Sequence, residues 1–170
     1  GIELSSFVFP RNRVGHREAL ANAEFTCYRG RRPVNGPSPL RKLAQATVLS
    51  DPPPLVTPTV DEFGLVDLPA SLYLFGFEGV PRRMLSATVG DPIVKQAKLG
   101  IDAAAQSDDG ICHLWLHPNN LTDAAAFDRV RAIVDYIDRT RERTDLTVET
   151  MRDVAATTLE NRNSVASGQQ

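Results

Sequence analysis

Ten of the twelve prolines in this 170-residue chain fall between Pro33 and Pro92. Proline fixes φ and has no backbone N–H, so this stretch must be rich in turns and irregular connections. The two ends are left to supply the regular elements. On the N-terminal side, Phe7-Val8-Phe9 is an apolar run stopped by Pro10 and reads as a buried strand. Val14 to Ala23 reads as a short helix carried by Ala19, Leu20 and Ala23. Phe25-Thr26-Cys27-Tyr28 then gives a second strand, halted at Arg29-Gly30.

Within the proline-rich stretch, Ser38-Pro39 is a helix-start signal, because Ser can accept from a free backbone N–H and Pro suits the first helical position. The predicted helix keeps Leu40, Leu43, Ala44, Thr47 and Val48 on one face and ends at Pro52-Pro53-Pro54, which should run extended. Asp91-Pro92 repeats the signal for a helix running to about Gln106. Asp108-Asp109-Gly110 turns the chain into a strand, Ile111 to Leu116, bounded by Pro118. Phe127, Val130, Ile133, Val134 and Ile137 recur at helical steps and define a buried stripe. Thr147 is the expected cap of a last helix that buries Val148, Met151, Val154 and Ala155, followed by a frayed polar tail over residues 161–170. Strands alternating with helices predict a parallel-sheet α/β architecture.

Net charge is −2, with 19 basic residues against 21 acidic ones, which argues against nucleic acid or an anionic membrane as the main partner. The apolar stretch Leu68 to Phe77 is too short to span a bilayer and is broken by Pro69. Cys27 and Cys112 stand far apart in apolar runs and read as buried reduced thiols. Localisation is left open.

Three spots join polar groups to strand ends: Pro10-Arg11-Asn12, Tyr28-Arg29-Gly30, and His113-Leu114-Trp115-Leu116-His117-Pro118-Asn119-Asn120. Ligands of parallel α/β sheets collect at the C-terminal ends of strands, so each spot is a candidate binding edge. His113 and His117 have the spacing that chelates a metal from one helix face. On a strand the same four steps separate their Cα atoms by roughly 13 Å, too far for joint ligation. There His113, Trp115 and His117 share one face, and Leu114 and Leu116 the other. Arg11 and Arg29 could each orient a carboxylate. Arg129, Arg131, Arg139, Arg141 and Arg143 read as surface residues.

The run from Ser6 to His16 (Ser-Phe-Val-Phe-Pro-Arg-Asn-Arg-Val-Gly-His), with Phe25-Thr-Cys-Tyr-Arg-Gly30, resembles the middle of a polysaccharide deacetylase of the NodB-homology type, carbohydrate esterase family 4. His113-Leu-Trp-Leu-His-Pro-Asn-Asn-Leu121 and Leu146-Thr-Val-Glu-Thr-Met-Arg-Asp-Val-Ala155 resemble the end of that domain. The resemblance implies a fold class of α/β type, an incomplete deformed (β/α)₇ barrel over residues 1–160. It implies a hydrolase that removes acetyl groups from N-acetylated sugars of a polysaccharide with a divalent metal, zinc or similar. His117 matches the histidine that protonates the leaving amine. Leu114, Trp115 and Leu116 would line the substrate site, with Asn119, Asn120 and Arg29 as further contacts. Arg11 falls where the family places the arginine that orients the base, with the order of Arg and Pro changed.

The family's Asp-His-His metal triad and aspartate base have no counterpart before Phe7. The resemblance therefore implies the C-terminal part of a domain, inactive alone and without a tight metal site, which could self-associate through surface left uncovered. A second reading is a non-catalytic sugar-binding or protein-interaction module on the same fold. A third is an unrelated α/β enzyme ligating metal through His113 and His117 on a helix.

Overall fold

The structure, a computed structural model, describes residues 4–31, 51–76 and 90–167. In chain order its elements are β1 (Ser6–Val8), α1 (Arg17–Asn22), β2 (Cys27–Arg29), β3 (Thr59–Val60), β4 (Val66–Asp67) and β5 (Leu72–Tyr73). Then come α2 (Pro92–Ala105), β6 (Leu114–Trp115), α3 (Ala124–Arg141) and α4 (Met151–Ser167). They belong to two compact units, the first drawn from Gly1–Arg32, Val56–Ala70 and Val148–Gln170, the second from Pro33–Leu55 and Ser71–Thr147. The predicted helix after Ser38-Pro39 lies outside the described residues.

In the first unit four strands run in the order β1-β2-β4-β3, with β1, β2 and β4 mutually parallel and β3 antiparallel at the edge. Both faces are covered, as expected of a parallel sheet. Alternation along β2 sends Tyr28 to one face, where it packs with Phe9, Leu20 and Leu65, and Cys27 to the other, where it packs with Val66 and Ala155 of α4. The first layer is tied by edge-to-face rings: Phe7 on Phe9 and on Phe25, and Phe9 on Tyr28. The Cys27 thiol donates to the Met151 carbonyl at 3.4 Å, giving the buried sulfur a partner at the start of α4.

The β3–β4 hairpin turns on Asp61. Its Oδ1 accepts from Phe63 N at 2.9 Å and from Leu65 N at 3.0 Å, and Gly64 takes φ +80°, a conformation glycine adopts without steric cost. Helix α1 is shorter than predicted because His16 is left-handed, φ 52°, and stops the helix from reaching back to Val14. Helix α4 departs further. Its cap is Thr150, not Thr147: Thr150 Oγ1 accepts from Asp153 N at 3.3 Å, while Asp153 Oδ2 accepts from Thr150 N at 3.1 Å. Val148, expected in the buried face, is 61% exposed as a consequence. Residues 161–167 are helical instead of frayed, because elongating a helix already nucleated and packed is easy.

The second unit joins β5 and β6 as a parallel pair across α2. The Asp91-Pro92 signal is realised: Asp91 Oδ1 accepts from Ile93 N at 2.9 Å. Ile93, Ala97 and Ile101 of α2 face Ala126 and Ile133 of α3 around Leu74 and Phe75. Only Leu114 and Trp115 of the predicted Ile111–Leu116 strand form the β5 ladder, and no residue from 111 to 117 is helical.

The stripe on α3 is rotated from the one expected. Phe127 and Val134 are each 52% exposed, whereas Arg129, read as a surface residue, has a fully buried side chain. A core arginine is tolerable here because it is partnered. Its Nε donates to Asp91 Oδ2 at 2.8 Å, its Nη1 donates to the Leu74 carbonyl at 3.1 Å, and its guanidinium lies 4.9 Å from the Phe75 ring centre. Among the described residues the strands close no barrel, and no helix is long and apolar enough to cross a membrane.

Candidate functional site

Two polar clusters sit at C-terminal strand ends, one in each unit. In the second unit, register places Tyr73 opposite Trp115, and their rings stack with centroids 4.2 Å apart at 24°. Two residues on, the exposed His117 presents its imidazole edge-on to Trp115, at 5.1 Å and 89°, and to Tyr73, at 5.9 Å and 69°. The strand-based expectation that Trp115 and His117 share a face agrees with this geometry, and the helical His113–His117 chelate does not. Leu114 and Leu116 pack against the unit's apolar core.

The loop after β6 is a single 3₁₀ turn, Pro118–Asn120, started by proline. Asn119 is exposed on it. Asn120 turns inward, and its Oδ1 accepts from the Tyr73 hydroxyl at 2.9 Å and from His117 N at 3.0 Å. The cluster thus consists of a stacked aromatic pair, an imidazole and the amide that ties them together. Tyr73 was not singled out in the sequence; its alternating run Leu72-Tyr73-Leu74-Phe75 was the available signal.

In the first unit, Arg11 and Arg29 lie at the ends of the parallel neighbours β1 and β2. Arg11 is exposed and left-handed (φ 55°), as is Asn12 (φ 52°). Consecutive non-glycine residues in that region are uncommon and mark a strained corner. Arg29 is buried, and its Nη2 donates to Asn12 Oδ1 at 2.8 Å; burial draws its guanidinium below the ordinary value. The side chain therefore braces the corner after β1.

Around Tyr28, on the other sheet face, gather Asp67, Asp61 and Arg17, which sequence reasoning missed. Burial pushes the Tyr28 hydroxyl up to about 12, against the pull of its hydrogen bond with Arg17. Burial also raises Asp67, opposed by a hydrogen bond with Tyr28 and reinforced by Asp61. Asp67 Oδ1 is buried and without a hydrogen-bond partner among the described residues. Gly30 packs directly beside it, and a Cβ there would land on the Asp67 carboxylate and displace it. Arg17 donates to Asp61 at 3.2 Å and to Glu62 at 2.6 Å. These pairings are settled across 44 and 45 residues, and no local pattern signals them.

Among the described residues no three His, Cys, Asp or Glu side chains converge to hold a metal ion. The chemistry these side chains themselves offer is aromatic recognition and proton transfer. Comparison with protein-family models, with curated proteins and with solved structures finds no match.

Proposed function

We propose that this chain is the C-terminal part of a polysaccharide deacetylase-like hydrolase, an incomplete (β/α)₇-type domain acting on N-acetylated sugars. The observation that carries the reading is the Trp115–Tyr73 stack with His117 edge-on at the C-terminal end of β5 and β6. An aromatic plate offers the apolar face of a sugar ring a large contact surface. An exposed imidazole beside it can deliver a proton to a departing amine, a contribution of about 10²–10⁴-fold when well positioned. Amide hydrolysis also needs an activated water, which a divalent metal supplies in the family resembled. Among the described residues no three His, Cys, Asp or Glu side chains converge to hold that metal, and the proposal gives His117 the proton-transfer role.

Calorimetric titration with tri-N-acetylchitotriose tests the proposal. The chain should bind it saturably and more tightly than cellotriose, and Trp115→Ala should abolish binding while the fold is retained. Equal affinity for the two trisaccharides, or no binding of either, overturns the reading. Binding that survives unchanged in His117→Ala favours a sugar-binding module over an enzyme part.

A further inference from the structure

We propose that Asn120 is a positioning residue for His117, holding the imidazole against the Trp115–Tyr73 pair. The proposal rests on the preceding reading for its chemistry and on the geometry of one oxygen for its mechanism. An amide carbonyl oxygen has two acceptor sites. Asn120 Oδ1 gives one to the Tyr73 hydroxyl at 2.9 Å and the other to His117 N at 3.0 Å. The backbone answers in the opposite direction, with Asn120 N donating to the His117 carbonyl at 2.9 Å.

This arrangement fixes both ends of the aromatic cluster to a single side chain. Tyr73 is held from β5, and the main chain of His117 is held at the exit of β6. The proline at 118 confines the backbone of His117 to the extended region, φ -98° and ψ 137°, so the imidazole is then aimed by its side-chain torsions. Those torsions are limited by Trp115 and Tyr73, whose rings meet the imidazole at 89° and 69°. A displacement of about 1 Å in a reacting group can lower a rate roughly 10²-fold, so a device of this kind is worth its ordering cost. With both acceptor sites committed, Asn120 retains only its two Nδ2 hydrogens for a ligand. Its role is to orient; at most it donates to an oxygen on the substrate.

Trp115 is the only tryptophan in the chain, which makes its emission a reporter on this site alone. A protonated imidazole in contact with an excited indole quenches it. Trp115 emission at acidic pH should be lower than at alkaline pH by a step that His117→Ala removes. In Asn120→Leu most of that step should be lost while the circular dichroism is unchanged. Asn120→Asp keeps an oxygen acceptor for both donors and should restore the step. If the leucine variant does not fold, Asn120→Ser, whose hydroxyl is too short to reach both donors, serves the same comparison.

An undiminished step in whichever of these two variants folds, or a wild-type step that His117→Ala leaves intact, overturns the proposal. Sugar is absent from this measurement. Failure of tri-N-acetylchitotriose to bind would therefore overturn the functional reading while leaving the positioning result standing, and the reverse outcome is equally distinguishable.

Discussion

Tyr73 and Trp115 stand opposite each other in the register of β5 and β6 and stack at a centroid separation of 4.2 Å, with 24° between their planes. Directly opposed side chains are the unit of strand-pair stabilisation, and this pair of strands is only two residues long on each side. The stack thus holds the short ladder together as well as forming the candidate sugar platform. A double-mutant cycle of Tyr73→Leu and Trp115→Leu should give a coupling of about 0.5–1.5 kcal/mol beyond area burial. Additive effects in denaturant unfolding would show that the two rings merely touch.

Arg129 and Asp91 make the second prediction. Asp91→Ala leaves the buried guanidinium without its carboxylate, with the Leu74 carbonyl and the Phe75 ring as its remaining contacts among the described residues, and removing one partner of such a pair costs about 3–5 kcal/mol. Arg129→Met, which removes the charge but keeps the volume, should cost distinctly less. Urea denaturation of both variants checks the order. A larger loss for the methionine variant would mean that the guanidinium's hydrogen bonds, more than the charge left behind, dominate.

Asp67 predicts a pH dependence. Its proton is held more tightly in the folded chain than in the unfolded one, because burial raises it and Asp61 adds to the effect. The stability it contributes is therefore fully present below the ordinary carboxylate range and is lost as pH rises through the raised folded value. Asp67→Asn removes this dependence, so its stability should gain on that of the wild type as pH climbs from about 4 towards neutral. Parallel stability curves for the two proteins across that interval would contradict the assignment.

Much of the framework was legible in local sequence. Phe7-Val8-Phe9 before Pro10 and Phe25 to Tyr28 before Gly30 mark β1 and β2; β2 is buried on both sheet faces as expected, whereas β1 lies at the sheet edge and leaves Val8 exposed, so the expected burial of that strand is not met. Asp91-Pro92 marks α2 because a cap is a contact between near neighbours. Arg129 was illegible for the opposite reason: its burial depends on Asp91, 38 residues away, and on a carbonyl 55 residues away. The same holds for Tyr73, whose place is set by a strand more than forty residues later, and for Asp67 against Gly30. At the candidate site, alternation along an extended segment was enough to put Trp115 and His117 together. The partner that stacks on Trp115 and the amide that orients His117 needed the fold.

Nuclear magnetic resonance of the Trp115 indole and the His117 ring during titration with tri-N-acetylchitotriose addresses the central claim most directly. The chain has one tryptophan, so one indole N–H signal reports the platform without ambiguity. The account predicts that this signal and the His117 ring protons shift together, saturate at the same ligand concentration, and fail to move with cellotriose. Shifts confined to other residues, or a response to cellotriose as large as that to the N-acetylated sugar, would contradict it.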